Sequence, residues 1–161
     1  MKIRDLAGGM VLGAASAGVG GVKLLQTQLM KEIPSPKSFE ETCKAIEETV
    51  PQFAEKGWGF PFNNWNFHKV FEDKNIDIPD IKKMTVYFIC NAKLAAKMIN
   101  ANNAIVGIMP CSWAVLEKSD GKTYIAKINM NVLANIFLGP TKEAMLQVEK
   151  DEEEMFEKIF S

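Results

Sequence analysis

An uncharged, largely apolar run over residues 6–22 constrains this chain more than any other stretch of its sequence. A helix that crosses a bilayer needs about 17–25 mostly apolar residues, so the run is at the short end of that range, and the leucines that follow extend it. The pattern predicts a transmembrane anchor helix over residues 1–32, a linker with two prolines over residues 33–37, and one domain over residues 38–161.

Small residues recur at every fourth position of this run, at Gly9, Gly13, Ala17 and Gly21. Small residues at that spacing let two transmembrane helices approach closely, because packing and not hydrophobicity drives helix association in lipid. We interpret these four residues, the small-residue ladder, as a docking face for a helix of an integral membrane partner.

Two other interpretations of the segment stay open. Lys2 and Arg4 precede a short apolar run, and residues 15–17 form an acceptable cleavage site, as in a signal peptide, although Asp5 is unusual there. The segment also fits a buried or interfacial helix. Whether residues 1–17 are removed in the cell stays open as well.

The topology follows from the charges that flank the run. Lys2 and Arg4 favour a cytoplasmic N terminus, whereas Lys23, Lys31 and Lys37 on the other side argue for the reverse. We expect a protein that crosses the lipid bilayer of the cytoplasmic membrane once, with its domain on the periplasmic or outer side.

Composition excludes several classes of function. The formal net charge is -1, so no basic field indicates a nucleic-acid partner. Cys43, Cys90 and Cys111 form no C-x-x-C motif and no haem-attachment motif, and His68 has no neighbouring ligands at a recognisable spacing. We therefore expect no cofactor and no metal. A disulfide between Cys90 and Cys111 and three separate buried thiols are both compatible with the sequence.

Aromatic residues crowd into residues 57–69, among glycines, asparagines and a proline. Their alternation predicts a strand at a sheet edge, where a proline is tolerated. Two interpretations apply: a contact surface for a partner, a ligand or the membrane interface, or a core strand with its loop. The residues concerned are Trp58, Phe60, Phe62, Trp65 and Phe67.

Local patterns predict the other elements. Ser38 and Glu41 form a capping box at the start of a helix, Asn91 caps another, and Asp120-Gly121 predicts a hairpin turn. Strands are predicted over residues 83–90, 104–109, 112–117 and 123–129, and helices over residues 38–50, 92–102 and 132–138 and at the C-terminal end up to residue 160. The acidic run over residues 149–154 is interpreted as a solvated helix face.

Three segments resemble a known family, the domain of unknown function DUF302. They are residues 90–95 (CNAKLA), 107–111 (GIMPC) and 120–122 (DGK), and the resemblance covers about residues 38–160. It implies a small α+β domain in which helices pack on one face of an antiparallel sheet, and it implies no established activity. The residues independently predict four or five strands and three or four helices. The segment over residues 57–69 is richer in aromatic residues than the family pattern.

Cys111 is the candidate residue for chemistry, because it follows Pro110 at a strand end. A reactive thiol needs a lowered pKa, for which Lys93, Lys97 or Lys118 are candidates; a small packed residue in a tight turn is the alternative. No triad, phosphate loop or other catalytic motif is present, so we do not expect an enzyme.

Two functions remain. The first is a non-catalytic accessory subunit of a membrane protein complex, such as one of electron transport, that docks on integral membrane subunits through the ladder; a homo-oligomer is compatible with it. The second is a tethered thiol protein that binds or passes on a sulfur species or another small ligand through Cys111.

Overall fold

The computed structural model describes residues 28–161. Within them, six strands form an antiparallel sheet. The strands are β1 (Met30–Pro34), β2 (Trp58–Gly59), β3 (Trp65–Asn66), β4 (Ile81–Asn91), β5 (Cys111–Lys118) and β6 (Thr123–Ile128). Their order is β1-β6-β5-β4, and β2 and β3 both pair with the outer edge of β4.

The helices of the described residues lie between and after the strands in the chain, except that β2 leads directly to β3 and β5 directly to β6. The α-helices are α1 (Phe39–Thr49), α2 (His68–Asp73), α3 (Ala92–Ala101), α4 (Met130–Leu133) and α5 (Gly139–Phe160). Three 3-10 helices follow α1, α3 and α4, at Val50–Lys56, Asn103–Ile108 and Ala134–Ile136 respectively.

Several elements form where local sequence predicts them. The Ser38 side chain accepts from the Glu41 amide, and the Ser38 amide donates to the Glu41 carboxylate, which completes the capping box of α1. Asn91 Oδ1 accepts from the Lys93 and Leu94 amides and caps α3. The Asp120-Gly121 turn joins β5 to β6, with Gly121 at φ +79°. These features confirm the α+β architecture.

The sheet has six strands, more than the four or five expected, because the edge strand predicted in the aromatic segment is divided into β2 and β3 and because β1 is an additional strand. It begins within the range assigned to the anchor and includes Ile33 and Pro34 of the expected linker. Met30 to Pro34 pair with Ile128 to Tyr124, so the strand lies at the sheet edge, where a proline is tolerated. The ordered domain therefore starts at or before Met30.

The strand predicted over residues 104–109 is wrong, because the segment is the 3-10 helix Asn103–Ile108. Asn102 Oδ1 accepts from the Ala104 amide and caps the turn. A short apolar run carries no period that separates a strand from a helix, so the side-chain cap decides the outcome.

Each strand turns alternate side chains to opposite faces of the sheet. The covered face carries Tyr87, Ile89, Trp113, Val115 and Ile125, which form the core with side chains of α1 and α5. The other face, here called the open face, carries mostly half-buried side chains. Its central residues are Met84, Val86 and Phe88 of β4, Ala114 and Leu116 of β5, and Tyr124 and Ala126 of β6.

Candidate functional site

A cluster of charged groups lies inside the domain, between β6 and α5. Lys127 is 2% exposed, Glu149 3% and Glu152 1%. Lys127 Nζ donates to Glu149 Oε2 at 2.9 Å and also to Glu152 Oε2. Trp113 Nε1 donates to Glu152 Oε1 at 2.9 Å, and Lys31 Nζ donates to Glu149 Oε1 at 2.7 Å. Two lysines thus balance two carboxylates at this place.

The two carboxyl groups of the cluster have different proton affinities. Burial alone would raise the pKa of Glu149, but hydrogen bonds from Lys31 and Lys127 outweigh burial and hold its pKa below the ordinary value. Burial raises the pKa of Glu152, although Lys127 and Trp113 oppose the rise. Glu152 is therefore the member of the cluster that takes up a proton more readily.

A small cavity of about 30 Å³ adjoins this cluster, and its wall includes Cys111, Lys127 and Glu152. The rest of the wall is mainly apolar, with methionine and isoleucine side chains from the surrounding helices and loop. Burial, with the nearby charge of Glu152, raises the pKa of the Cys111 thiol to about 12. The thiol is thus protonated at neutral pH, and its surroundings oppose a nucleophilic thiolate.

None of the three cysteines forms a disulfide. Cys43, Cys90 and Cys111 are all free, and Cys111 lies opposite Ile89, the neighbour of Cys90, across the β4–β5 pair. Burial raises the pKa of the Cys90 thiol and of the Cys43 thiol. Of the two open alternatives, the structure has three separate thiols.

The prediction of a solvated acidic face on the last helix is wrong for three of its residues. Glu149 and Glu152 belong to the buried cluster, and Asp151 Oδ2 accepts from Trp58 Nε1 at 2.8 Å inside the domain. The sequence contains a pattern that indicates the burial of Glu152. It occupies one position of an apolar stripe of α5 with steps of three and four residues: Met145, Val148, Glu152, Met155 and Ile159.

A similar pattern indicates the burial of Lys127. Its side chain falls on the same face of β6 as Thr123 and Ile125, both of which are buried. A lysine on a buried face of a strand needs a carboxylate partner nearby, and the acidic helix supplies it. Sequence alone gives no distance between the two.

The structure divides the aromatic segment between two places. Trp58 is buried, and Phe60 packs against the core with its ring 6.1 Å from that of Tyr87. For these two residues the core interpretation is confirmed. Phe62 is 62% exposed and Trp65 44% exposed, and Trp65 contacts Phe67 at a ring distance of 4.3 Å.

Phe62 and Trp65 adjoin the open face of the sheet. The Phe62 ring meets Phe88 edge-on at 6.0 Å, and Trp65 pairs with Val86 across the β3–β4 pair. Trp65 therefore turns its side chain to the same side as Val86. The exposed aromatic residues and the open face form one continuous apolar surface.

His68 begins α2, with Nε2 3.7 Å from a Glu72 carboxylate oxygen. In the part of the chain that the structure describes, no group of three or more potential ligand side chains could hold a metal ion.

The small-residue ladder at Gly9, Gly13, Ala17 and Gly21 lies outside the described residues. Among residues 28–161, none of the helices has the length and apolar character needed to cross a bilayer. The anchor prediction concerns the preceding residues and stays a prediction.

Three comparisons relate the chain to known proteins. An uncharacterized protein of Aquifex aeolicus (strain VF5) is 30% identical over 87 residues, which are 52% of this chain and 60% of that relative's length. The crystal structure of an uncharacterized conserved DUF302 protein from Bacillus stearothermophilus aligns with a TM-score of 0.68 at 20% identity, over 81% of this chain and 98% of the other. At that identity the alignment shows a shared fold. The family model for the domain of unknown function DUF302 matches residues 31–159, most of the chain, so the protein belongs to this family.

Proposed function

We propose that this protein is a non-catalytic accessory subunit that binds an integral membrane partner through two surfaces, the small-residue ladder and the open face of its sheet. The open face is the observation that carries the proposal. Contiguous exposed apolar surface often marks an interaction site, and the exposed Phe62 and Trp65 adjoin the half-buried apolar residues of this face.

The chemistry of the open face favours an apolar partner surface. The central row across the strands holds Val86, Ala114 and Ala126. One flanking row holds Met84, Leu116 and Tyr124, and the other holds Phe88 and Ser112. Two charged residues at its edge, Glu32 and Lys118, form an ion pair with each other. A close-packed interface core of this kind is depleted of charge, as this face is.

The position of β1 supports a role for both surfaces. Asn129 N–H donates to the Leu29 carbonyl, and β1 follows at once, with Met30 exposed. Residues 23–29 span at most about 24 Å when fully extended. A partner that docks on the ladder within the membrane therefore lies within reach of this edge of the sheet.

The test is purification of the full-length protein, with a C-terminal tag, from mild-detergent extracts of its native membranes. We expect integral membrane proteins in fixed stoichiometry with wild type. Ala126→Lys should lose them, because it places a charge in the open face. The variant should still fold, since Glu32 lies opposite position 126 and can pair with the new lysine. Gly13→Leu with Ala17→Leu should lose them through the ladder.

Ala96→Lys is the matched control, because Ala96 is exposed on α3, away from the open face. This variant should retain the partners, and unfolding curves should show that all variants are folded. Recovery of wild type alone, or partners that stay bound to folded Ala126→Lys, would overturn the role of the open face.

A second candidate is the binding of a small ligand beside Cys111, which the cavity favours. Its volume of about 30 Å³ holds a ligand of very few atoms, since a water molecule needs roughly 10–15 Å³ by the same measure. With a protonated thiol in the wall, the ligand would be neutral, for example hydrogen sulfide. The measurement is a titration of the protein with hydrogen sulfide at pH 6, monitored through the amide signals in NMR spectra. Saturable shifts of the Cys111 signal and not of the Cys43 signal support this candidate, and uniform shifts of all signals contradict it.

A further inference from the structure

An open cleft of about 570 Å³ lies at the outer edge of β4, on the side away from β5. The chain forms it by interrupting the edge pairing: β2 pairs with Cys90 and Asn91, β3 pairs with Thr85 and Val86, and residues 60–64 loop outward between them. The cleft is within the size range of small-molecule sites in proteins. Its floor and walls come from α1, from this loop and from β4.

One carboxylate in the cleft, that of the exposed Glu47 on α1, accepts hydrogen bonds from two side chains. Glu47 Oε1 accepts from the Tyr87 hydroxyl at 2.9 Å and from Asn64 Nδ2 at 2.8 Å. Burial, together with Cys43 and the Glu47 carboxylate, raises the pKa of Tyr87, so its hydroxyl stays protonated and remains a donor. Both donors approach the same oxygen, which leaves Oε2 available to a ligand.

Glu47 differs from the other glutamates of α1 in the groups that contact its carboxylate. Glu40 accepts from Lys83 at 2.6 Å, and Glu48 lies 3.7 Å from Lys44. The two donors to Glu47 are both neutral groups. A cation that enters the cleft would therefore meet a carboxylate whose charge these donors do not compensate.

Aromatic side chains form the apolar part of the cleft. Phe60 packs on Tyr87, and Phe62 stands edge-on against Phe88 and is mostly exposed. Aromatic rings beside a carboxylate attract organic cations, because the ring faces and the carboxylate are both negative while the carbon atoms of the ligand pack against the rings. An anion would be repelled by Glu47, and a wholly apolar ligand would take the carboxylate out of water without a partner.

We propose that this cleft is a binding site for an organic ammonium group, with the charged nitrogen at Glu47 Oε2 and the attached carbon atoms against Phe60 and Phe62. The proposal does not rest on the accessory-subunit function, because its charged ligand, Glu47, lies on α1; Phe62 lines the cleft and also adjoins the open face. The shared chemistry could come from a small free amine or from a lysine side chain.

The experiment is an amide NMR titration of the full-length protein in detergent with n-butylammonium chloride. Ammonium chloride provides the charge without the chain, and n-butanol provides the chain without the charge. We expect saturable shifts at Phe60 and Asn64 with n-butylammonium and much weaker binding of both controls. A parallel titration with N-acetyl-lysinamide distinguishes the sources: binding at least as tight as that of n-butylammonium indicates a lysine side chain, and weaker binding indicates a free amine.

Two substitutions locate the site. Glu47→Gln keeps an oxygen that can accept from Tyr87 and Asn64, so the loop should stay in place, but it removes the charge and should weaken binding about tenfold. Glu48→Gln is the matched control on the next residue and should leave the affinity within about twofold. Phe62→Leu should weaken binding severalfold.

Equal binding of n-butanol and n-butylammonium would overturn the proposal in favour of a simple apolar groove. Equal loss of affinity in Glu47→Gln and Glu48→Gln would overturn it in favour of general charge attraction. Shifts that grow linearly with n-butylammonium would also overturn it.

Discussion

Lys127 shows how one side chain can depend on groups far away in the sequence. Its ammonium group on β6 contacts Glu149 and Glu152 on α5, which lie 22 and 25 positions further along the chain. A buried ion pair adds little to stability relative to apolar residues, because both ions lose their hydration. Removing one member is different, since the remaining charge then stays buried without compensation.

Substituting Lys127→Met should therefore lower the free energy of unfolding by about 3–5 kcal/mol. The measurement is urea denaturation at pH 7. Lys122→Met is the control, because Lys122 is exposed, and it should change the free energy of unfolding by less than about 0.5 kcal/mol. A loss below about 1 kcal/mol for Lys127→Met would contradict the buried cluster.

The defect of Lys127→Met should become smaller in mild acid. A carboxyl group whose pKa is raised in the folded state stabilises the fold fully below its ordinary pKa, near 4.5, and loses that contribution as the pH rises through the raised value. Burial already raises the pKa of Glu152, and loss of Lys127 removes an opposing influence. Urea curves of the variant should thus show a higher free energy of unfolding at pH 5 than at pH 8.

The raised pKa of Cys111 predicts an unreactive thiol. With a pKa of about 12, against 9.0 for an ordinary thiol, Cys111 has few thiolates at pH 8. Iodoacetamide should alkylate Cys111 more slowly than a free cysteine, as followed by mass spectrometry of the peptides. A faster rate than that of free cysteine would show that the thiol is activated and would favour thiol chemistry as the function.

At the scale of the elements, Gly57 links the 3-10 helix Val50–Lys56 to β2 and lies beside the start of α3. It has φ +107° after the 3-10 helix Val50–Lys56, a conformation that side chains with a Cβ rarely adopt. A Cβ there would lie 2.8 Å from Asn91 Oδ1, the atom that caps α3. One position thus sets both a backbone conformation and a helix cap.

Gly57→Ala should lower the free energy of unfolding by about 1–3 kcal/mol, because it strains the backbone and displaces the Asn91 cap. Gly107→Ala is the matched control: no atom lies within 4 Å of its Cβ position, and its φ is not positive. That control should be neutral or slightly stabilising. Equal effects of the two substitutions in urea denaturation would refute this account.

At the scale of the whole molecule, the sheet has one covered and one open face. The core of the described residues lies between the sheet and the helices α1 and α5, and it draws on residues from Ile46 to Ile159. The solved DUF302 relative aligns over 98% of its own chain with 81% of this one, and the family model begins at residue 31. We therefore expect the shared fold to form without residues 1–27.

Deleting residues 1–27 should leave the domain folded, with a free energy of unfolding within about 1 kcal/mol of wild type. If the anchor prediction is correct, the full chain sediments with membranes and resists a carbonate wash, whereas the shortened chain stays in the supernatant. Cell fractionation followed by immunoblotting is the measurement. A full chain found in the supernatant would show that the segment is not an anchor.

The sequence by itself determined the features that depend on neighbouring residues. The capping box of α1, the Asn91 cap, the long strand β4 and the Asp120-Gly121 hairpin are each encoded within a few residues. Together with the family resemblance, they establish an antiparallel α+β domain. Local backbone and side-chain preferences suffice for these elements, because every atom involved is close in the chain.

Only the tertiary structure decided which face each side chain meets. Trp58 and Asp151 are 93 residues apart, and Trp113 and Glu152 are 39 apart, so no local pattern shows that they are partners. The same holds for β1, which is a strand because β6 offers it an edge, and for Glu47, which Tyr87 holds in place. The residue type of a charged or aromatic side chain does not fix whether it is buried or exposed, because burial of its polar atoms requires a partner that only the fold supplies.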